Sequence, residues 1–404
     1  MVSGYDAVIV GGRVAGASTA LLLARAGARV ALLERSAHGS DTVSTHALMR
    51  AGVLQLSRWG VLPEVLRAGT PPVRRTLFHY AGDPPVQVSI RPSPGVDALY
   101  APRRHVLDRI LVDAAAAAGA DVVHGATVTG LLRDGGRVGG IVARGRSGRE
   151  LSWRGGVVIG ADGVRSVVAR AAGAAVQRRA GVSGAVLYRY YDDLPVAGYE
   201  WAYGDSAAAG MIPTNEGLTC VFVGAGPDRL RRLRRVGADT ALASLLDTAA
   251  PAQAPRVHGA TPVGRIHGWS GVPGFLRRSW GAGWALVGDA GYFKDPITTH
   301  GMTDAMRDAE LLTDALLQAW SGALPERLAL ARYQAQRDRL SSALFAATNT
   351  IAAYEWDQPA VQALLREVSS AMSDETELLQ GLSTPGQRAP RPARTSPDML
   401  AGRQ

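Results

Sequence analysis

Apolar runs and glycines alternate over the first 34 positions in a way that predicts a strand, a turn, a helix and a second strand. Residues 7–10 form a short apolar run, residues 14–26 carry apolar side chains at helical spacing, and residues 30–33 form a second apolar run. Short apolar runs are typical of buried strands, whereas spacings of three and four residues are typical of a helix. The pattern therefore predicts a βαβ unit at the start of a parallel sheet.

Strand and helix patterns continue up to residue 159. Helices are predicted at residues 47–59 and 104–118, and a strand at 121–124 follows the second helix. Alternating polar and apolar segments separated by glycines then predict an antiparallel meander leading into a buried strand at 157–159. The meander strands are expected at residues 128–132, 137–144 and 150–153.

The middle of the chain, residues 180–264, has a different character. Strand patterns dominate it, with one or two helices around residues 239–246. A strand pair at 76–80 and 86–90 is expected to join the same sheet, although it lies far away in sequence. We therefore predict a second, mainly antiparallel sheet. Its other strands are expected at residues 182–188, 207–212 and 218–223.

The last third of the chain returns to the first pattern, with a buried strand at 284–287 and helices at 302–320 and 324–346. The predicted fold class is α/β: a Rossmann-like nucleotide-binding domain, a second, mainly antiparallel β-sheet substrate domain and C-terminal helices. The tail is rich in Pro, Arg, Ser and Gly, which predicts disorder. The expected bounds are 1–75, 98–178 and 266–345 for the first domain, 76–97 and 179–265 for the second, 346–382 for a helical segment and 383–404 for the tail.

Composition narrows the class of protein. The chain has 404 residues, of which 47% are hydrophobic, yet no segment reaches the roughly 18 apolar residues that a membrane span requires. The first residues lack a basic stretch followed by an apolar run. We expect a cytoplasmic monomer or homodimer without a membrane partner. Cys220 lies in the apolar run 218–223, where a buried strand thiol is expected rather than a redox centre.

The net charge of +9 comes almost wholly from arginine, with Lys294 as the only lysine. A basic chain could suggest a nucleic-acid partner. The arginines are scattered, however, and the densest cluster fits a solvated helix face better than a binding stripe. We therefore expect a small-molecule substrate and no nucleic acid. The cluster consists of Arg229, Arg231, Arg232, Arg234 and Arg235.

The first glycine turn, residues 11–16, is typical of a dinucleotide site. Gly11 would make the tight turn and Gly16 would let helix and strand pack closely, whereas Arg13 replaces the glycine that admits a pyrophosphate. Glu34 ends the second strand, where a carboxylate accepts hydrogen bonds from adenosine ribose hydroxyls. The predicted cofactor contacts of this region are Gly11, Arg13, Val14, Ala15, Gly16, Glu34 and Arg35.

The second motif, residues 160–166, follows the strand at 157–159 and turns into a helix. Asp162 is expected to bridge nucleotide hydroxyls or phosphate-bound water, and Gly163 to permit close approach. An ordinary Asp-Gly turn with a helix cap is the alternative.

The third motif begins with Gly288 and Asp289 after the strand at 284–287, and Pro296 and Gly301 follow. Asp289 is placed to accept a hydrogen bond from a ribitol hydroxyl. The helix that starts near Gly301 and Met302 offers unpaired amides and a partial positive charge, which would stabilise negative charge on a reduced flavin.

Together the three motifs resemble those of the group A flavoprotein monooxygenase superfamily, built on the para-hydroxybenzoate hydroxylase fold, which also includes geranylgeranyl reductases and flavin-dependent halogenases. The resemblance covers residues 4–345, with the motifs in the family's order and spacing. It implies FAD bound along the first domain, reduction by NADPH or NADH, and often oxygen activation as a flavin C4a-hydroperoxide. Arg104 matches the family arginine that contacts FAD.

The resemblance favours an NAD(P)H-dependent monooxygenase acting on an aromatic or polyketide-like small molecule in secondary metabolism. The alternative is a flavin-dependent reductase or dehydrogenase of carbon–carbon bonds, like the geranylgeranyl reductases; a flavin-binding protein without turnover is the third reading. The halogenase branch is disfavoured. Lys294 does not match its early catalytic lysine, and residues 201–203 do not reproduce its Trp-x-Trp-x-Ile-Pro run.

The chain departs from the family at two places. Residues 296–303, PITTHGMT, stand where the family usually has Pro-x-Gly-Gly-Gln-Gly-x-Asn. His300 is thereby expected beside the pyrimidine edge of the flavin, to tune its potential or transfer a proton; a structural role is the alternative. The loop 40–46 lacks the basic residue often found there, for which His46 or Arg50 is expected to substitute. His300 and His46 are the candidate catalytic residues, and no metal is expected.

Aromatic residues of the second sheet are the candidate substrate contacts. Strand alternation sends half of the side chains at 188–191 to each face of the sheet. Tyr and Trp would suit a planar substrate by stacking, and core packing is the alternative. Arg189 is expected either to pair with an acid group of the substrate or to be exposed. The candidates are Tyr188, Tyr190, Trp201, Met211 and Pro213.

Overall fold

The computed structural model describes residues 4–80 and 82–382. The tail predicted to be disordered, residues 383–404, lies outside the described residues. The strands are β1 (Tyr5–Val10), β2 (Val30–Glu34), β3 (Arg75–Tyr80), β4 (Val86–Ser89), β5 (Asp121–His124), β6 (Thr127–Asp134), β7 (Arg137–Arg144), β8 (Glu150–Gly160), β9 (Val176–Arg179), β10 (Ala185–Asp192), β11 (Tyr199–Gly204), β12 (Ala207–Pro213), β13 (Thr219–Ala225), β14 (Thr261–Trp269), β15 (Phe275–Arg277), β16 (Trp280–Gly281), β17 (Trp284–Leu286) and β18 (Tyr292–Phe293). The helices are α1 (Val14–Arg25), α2 (Arg50–Arg58), α3 (Leu62–Arg67), α4 (Arg104–Ala117), α5 (Val167–Ala172), α6 (Pro227–Arg234), α7 (Ala238–Ala249), α8 (Ala254–His258), α9 (Gly301–Trp320), α10 (Glu326–Ile351) and α11 (Gln358–Gly381).

The first sheet has the order β16-β17-β8-β1-β2-β5, with β6 and β7 attached through β8. Strand β1 pairs in parallel with both β2 and β8. Alternate residues of β1 enter different cores: Ala7 and Ile9 pack with α1, whereas Val8 and Val10 pack with the β6–β7 meander and α5. Burial on both faces explains why the strand is apolar throughout.

Strand β8 corrects one detail of the predicted meander. The segments expected at 150–153 and 157–159 are one strand of 11 residues. Its first half pairs antiparallel with β7, and its second half pairs in parallel with β1. One strand therefore joins the meander to the parallel sheet.

The second sheet has the order β14-β10-β13-β12-β11-β3-β4. Its pairs are antiparallel except β11 with β3, which run in parallel. One face, with Leu187, Met211 and Val221, is covered by α6, α7 and α8. The other face, with Tyr188, Tyr190 and Trp201, joins the core shared with the first sheet. Three helices thus cover this sheet, where one or two were expected.

Two element boundaries differ from the predicted ones for local reasons. Helix α2 begins at Arg50 rather than residue 47, because Leu48 forms an antiparallel bridge with Tyr100. Strand β10 begins at Ala185 rather than residue 182, because the N–H of Gly184 donates to the carboxylate of Asp295 at 2.6 Å.

The C-terminal helices complete the described part of the chain. Helix α11 packs on α10 and α2, and a guanidinium nitrogen of Arg58 on α2 donates to the carbonyl of Leu382 at 2.7 Å. Among the described residues, none of the helices has the length and apolar character needed to cross a membrane.

Candidate functional site

The turn between β1 and α1 depends on glycine for steric reasons. Gly11 has φ of 104°, and a Cβ there would lie 2.4 Å from the carbonyl oxygen of Ala161 in the second motif. A Cβ at Gly16 would lie 1.8 Å from the carbonyl oxygen of Gly11. The first and second motifs are therefore in direct contact, and neither glycine can carry a side chain without backbone movement.

Arg13, which stands at the position of the second fingerprint glycine, points away from this turn. Its guanidinium donates to the carbonyl of Ser40 at 2.5 Å and to the carboxylate of Asp108 at 3.0 Å. Arg104 donates to both oxygens of the same carboxylate at 3.1 Å. Two predicted cofactor contacts thus converge on buried Asp108 of α4, which the sequence analysis did not identify. The i, i+4 spacing of Arg104 and Asp108 on a helix was the available signal.

Glu34 lies at the end of β2 beside the glycine turn. It accepts hydrogen bonds from the N–H groups of Gly12 at 2.7 Å and Ser36 at 2.8 Å. Burial alone would raise the pKa of Glu34, but these hydrogen bonds outweigh it and hold the pKa below its usual value. The carboxylate is therefore ionised near neutral pH, as an acceptor of ribose hydroxyls must be. Arg35, the next residue, is exposed.

In the second motif, Asp162 caps helix α5. It accepts from the hydroxyl of Ser166 at 2.5 Å and from the N–H of Val167 at 2.6 Å. Burial raises its pKa in spite of these bonds. These are the bonds of the capping alternative, and a contact of Asp162 with the nucleotide stays a prediction. Gly163 has φ of 76°, and a Cβ there would meet nothing within 4 Å.

The third motif meets the first. Gly288 has φ of 55°, and a Cβ there would lie 3.0 Å from the Cβ of Ala15 on α1. Asp289 is partly buried, and it has no side-chain hydrogen bond among the described residues. Burial raises its pKa to about 6. A carboxylate left without a donor at this place fits a ligand that brings a hydroxyl group.

The N-terminus of α9 faces open space. A Cβ on Gly301 would meet nothing within 4 Å, and Pro296 in the preceding turn is exposed. Thr299 has φ of 50°, a left-handed conformation that turns the chain into the helix. Met302 is half-buried in the first turn. The free amides of this helix end therefore point into a region that a planar anionic group can enter.

Behind this helix end lies a buried group of charged side chains, which we call the charged cluster. The imidazole Nε2 of His300 lies 2.6 Å from the carboxylate of Glu375 on α11, and the other oxygen of Glu375 accepts from Arg307 at 2.8 Å. Arg307 also donates to Asp304 at 2.9 Å and Asp308 at 2.8 Å. The charged cluster consists of Lys294, His300, Asp304, Arg307, Asp308 and Glu375.

The charged cluster changes the picture of His300. Burial is the main cause that lowers the pKa of His300, whereas the nearby His300 and Arg307 outweigh burial at Glu375 and hold the pKa of that carboxyl at about 2. Nε2 of His300 faces α11, a helix whose contribution no motif indicated. A direct role of His300 at the cofactor ring stays a prediction.

A second buried polar group lies where the loop 40–46 and α4 meet the second sheet; we call it the interface cluster. Nε2 of His46 lies 2.5 Å from the hydroxyl oxygen of Tyr190, and the guanidinium carbon of Arg103 lies 4.4 Å from the ring centroid of Tyr190. The rings of Tyr188 and His267 stack at 4.9 Å. The interface cluster consists of His46, Arg103, Tyr188, Tyr190 and His267.

The interface cluster is neutral except for Arg103. Burial lowers the pKa of His46 to about 3, raises the pKa of Tyr188 to about 12 and raises that of Tyr190 further. His46 has φ of 70°, and its Nδ1 is buried without a hydrogen-bond partner among the described residues. An unpartnered imidazole nitrogen held in an uncommon backbone conformation is typical of a functional position.

The profile of the FAD binding domain family matches residues 4–348. This chain belongs to that family. The resemblance read from the three motifs is thereby confirmed, and so is the fold class. The protein is an FAD-dependent oxidoreductase by family.

Two curated relatives cover different parts of the chain. Digeranylgeranylglycerophospholipid reductase 2 of Methanothermobacter thermautotrophicus is 28% identical over 337 residues, which cover 82% of each protein. The 6-methylpretetramide 4-monooxygenase of Streptomyces rimosus is 34% identical over 170 residues, which cover 42% of this chain and 40% of that protein.

Solved structures share the fold over almost the whole chain. The flavin-dependent brominase Bmp2 has a TM-score of 0.78 at 19% identity, covering 95% of this chain and 96% of its own. PqsL, a probable FAD-dependent monooxygenase from Pseudomonas aeruginosa, has a TM-score of 0.77 at 23% identity, covering 90% and 100%. At such low identity these likenesses establish the fold and not the reaction.

The residues that the chain provides fit FAD. Glu34 offers an ionised acceptor for the adenosine ribose, Asp289 an unpaired acceptor for the ribitol, and Gly301 an open helix end for the ring. The glycine turn of the site requires glycine at Gly11 and Gly16, so it could be recognised in the sequence. Asp108 and Glu375, which pair with Arg13, Arg104, His300 and Arg307 around the site, could not be recognised in this way.

The residues predicted to contact the substrate lie on both faces of the second sheet. Tyr188 and Tyr190 belong to the interface cluster, and Trp201 lies on the same face, 5.9 Å from the ring of Phe222. Met211 lies on the opposite face, where it packs under α7 and contacts Arg256 at 3.4 Å, so its placement at the substrate is wrong. Pro213 is half-buried at the end of β12.

Two basic residues considered for ligand binding have protein partners instead. Arg189 pairs with Asp239 of α7 at 2.8 Å, on the helix-covered face of the sheet, so a pairing with a substrate acid is wrong. Arg50 donates to the carbonyl of Arg91 at 2.9 Å and to Ser93 at 3.1 Å. It therefore does not replace the missing basic residue of the loop 40–46.

Proposed function

We propose that this protein is an NAD(P)H-dependent flavin monooxygenase of an aromatic or polyketide-like small molecule in secondary metabolism. When bound, FAD supplies the electrons that activate dioxygen. The observation that carries the proposal is the interface cluster, because it sets phenol, imidazole and guanidinium groups on the sheet face that meets the cofactor domain.

The chemistry of the interface cluster suits a phenolic substrate. The hydrogen bond between His46 Nε2 and the Tyr190 hydroxyl, with heavy atoms 2.5 Å apart, orients the imidazole. Because burial lowers the pKa of His46 to about 3, the imidazole is neutral near pH 7, and its unpaired Nδ1 would make a hydrogen bond to a phenol hydroxyl rather than take its proton. Arg103 would stabilise negative charge that develops on the phenol oxygen, and the stacked rings of Tyr188 and His267 offer flat surfaces to a planar molecule.

A second candidate function is the reduction of carbon–carbon double bonds. It is supported by the 28% identity to a digeranylgeranylglycerophospholipid reductase, which extends over most of both chains. An isoprenoid chain, however, is best bound by aliphatic side chains, because it has no polar group along its length. The hydroxyl and imidazole groups of the interface cluster favour the oxygenated substrate.

The experiment that separates the two functions measures the fate of oxygen. FAD-loaded protein is reduced with NADPH or NADH without air, then mixed with ¹⁸O₂ and a panel of polycyclic phenols, and products are analysed by mass spectrometry. Incorporation of one ¹⁸O atom supports the monooxygenase. A product two hydrogens heavier, formed without air from a polyprenyl substrate, would instead establish the reductase.

The Tyr190→Phe variant tests the role of the interface cluster in the same assay, with the unaltered protein as the control. It removes the hydroxyl that meets His46 and keeps the ring, so stacking is preserved. We expect hydroxylation to fall by about 10-fold, as for loss of one hydrogen bond that orients a binding group. Rates equal to those of the unaltered protein would contradict the role given to the interface cluster.

A further inference from the structure

Arg13 stands where the fingerprint has a glycine, and its side chain has a specific set of partners. Among the described residues its guanidinium donates four hydrogen bonds, and three of them go to the loop 40–46. These three reach the carbonyl of Ser40 at 2.5 Å, the hydroxyl of Ser40 at 3.1 Å and the carbonyl of Asp41 at 3.4 Å. The fourth reaches the carboxylate of Asp108 at 3.0 Å. Arg13 therefore joins the glycine turn to the loop and to α4.

The pairing with Asp108 does not by itself explain Arg13. Arg104 already donates to both oxygens of Asp108 at 3.1 Å, and a guanidinium that binds both oxygens of a carboxylate is the strongest form of this pair. A second guanidinium brings one positive charge more than the carboxylate carries. The three hydrogen bonds to the loop are the contacts that distinguish Arg13 from Arg104.

The loop 40–46 connects the cofactor side of the site with the substrate side. It follows shortly after Glu34, the carboxylate that fits the adenosine ribose. At its other end, the N–H of Ser44 donates to the hydroxyl of Tyr188 at 3.2 Å, and His46 belongs to the interface cluster. A movement of the loop would therefore disturb both ends of the site.

The loop is also held from the side of the second sheet. The carboxylate of Asp41 accepts from Arg103 at 3.2 Å, and Arg103 donates to Glu216, between β12 and β13, at 2.9 Å. Residues 40–46 belong to no helix or strand, so their position depends on side-chain hydrogen bonds of this kind. Arg13 is the anchor on the cofactor side, and Arg103 is the anchor on the sheet side.

We propose that Arg13 is a positioning residue that fastens the loop 40–46 beside the glycine turn and thereby slows the departure of FAD. It acts through the loop and not by touching the pyrophosphate. Release of FAD then requires the loop to move, and this breaks the hydrogen bonds to Ser40 and Asp41. The inference rests on the binding of FAD and not on hydroxylation, so a failure to insert ¹⁸O would leave it unaffected.

Arg13→Gly is the variant for the test, because it restores the second glycine of the fingerprint. Arg13 is the N-cap residue of α1, has extended φ and ψ of −85° and −171°, and makes no side-chain capping bond. Glycine is well tolerated at an N-cap, and Asp108 keeps its pair with Arg104. We therefore expect the FAD-free variant to unfold at nearly the same temperature as the FAD-free unaltered protein.

The first measurement follows the loop directly. Cys220 is the only cysteine of the chain and is buried, so a nitroxide spin label on Val43→Cys, at an exposed position of the loop, reports that loop alone. We expect Arg13→Gly to shift the spectrum of this label toward the mobile component, with and without FAD. A label on Val236→Cys, at an exposed position of the second domain, is the control and should not respond.

The second measurement is the rate at which FAD leaves the protein, followed by the recovery of flavin fluorescence after dilution. We expect Arg13→Gly to raise this rate by about tenfold, the factor that corresponds to loss of a charge-assisted hydrogen bond. Arg13→Lys keeps the charge but cannot form the forked set of bonds, so its rate should lie between those of the other two proteins.

Two results would overturn the proposal. An equal rate of FAD release with and without Arg13 would show that the loop does not retain the cofactor. A faster release combined with an unchanged label spectrum at position 43 would show that Arg13 contacts the cofactor itself. The expected pattern is a joint change of both readouts, with partial rescue by Arg13→Lys.

Discussion

The charged cluster and the interface cluster, two of the buried polar groups of this protein, differ in their charge. In the charged cluster, the carboxylates of Asp304, Asp308 and Glu375 each pair with a cation, and Nδ1 of His300 has no partner among the described residues. In the interface cluster the groups are mostly neutral, and Nδ1 of His46 and Nε of Arg103 have no partner among the described residues. The first arrangement fixes three elements together through ion pairs, whereas the second offers neutral hydrogen-bonding groups and one cation to a ligand. The following substitutions test this difference.

The largest effect is expected from Glu375→Ala. It leaves Arg307 and His300 buried beside a missing carboxylate, so we expect a loss of about 3–5 kcal/mol in the free energy of unfolding. Chemical denaturation with an unchanged m-value measures it. Glu377→Ala on the same helix is the control, because Glu377 is exposed and should change stability by less than about 0.5 kcal/mol. Equal effects of the two would mean that α11 is not held by the charged cluster.

The next effect is expected from Tyr190→Phe on stability. Removal of the hydroxyl leaves Nε2 of His46 without its partner 2.5 Å away, at a cost of about 1–3 kcal/mol. A loss well below that of Glu375→Ala is the outcome that fits a neutral cluster. Addition of a substrate that restores the hydrogen bond should recover part of the loss, and a complete lack of recovery with any bound phenol would argue against a ligand at this place.

A pH-dependent effect is expected from His46→Gln. The pKa of His46 is about 3 in the folded protein, because it is buried, and about 6.5 when unfolded. Between these values the unfolded chain holds the extra proton, so stability falls as pH falls, by about 1.4 kcal/mol per unit. In the His46→Gln variant, this fall in stability below pH 6.5 should be absent. Unfolding free energies of both proteins from pH 7 to 5 measure the difference; parallel curves would show that His46 does not titrate as a buried group.

The smallest effect is expected from Met211→Leu. Met211 lies on the helix-covered face of the second sheet, so a volume-conserving change should cost less than about 1.5 kcal/mol and leave turnover unchanged. Trp201→Leu, on the other face, is the comparison for turnover. A change in KM with Met211→Leu would indicate that the substrate binds at the helix-covered face, contrary to the position of the interface cluster.

The glycine turn of the predicted FAD site could be recognised from the sequence because its backbone conformation and close contacts require particular residues. Gly11 and Gly16 are required by contacts below 3 Å from a hypothetical Cβ, and such constraints leave the same residues at the same spacing in any chain with this turn. The strand–turn–helix order around these glycines was sufficient to place Glu34 at the end of β2, beside the glycine turn. The contacts of Glu34 and Asp289 with the cofactor stay predictions. The fold followed from the same signals.

The rest could not be predicted because it depends on pairs that are distant in sequence. Glu375 meets His300 from 75 positions away, and His46 meets Tyr190 from 144 positions away. Met211 was misplaced because alternation along a strand shows that two faces exist but not which of them meets the cofactor domain.

The parallel pairing of β3 with β11 has a consequence for biogenesis. Strand β3 is synthesised long before β11, and the chain between them contains α4 and the β6–β7 meander. The second sheet therefore has high contact order and must close after most of the first domain has left the ribosome. A fragment restricted to residues 179–265 would present β11 as an unprotected edge carrying Trp201 and Tyr203, and would self-associate through it.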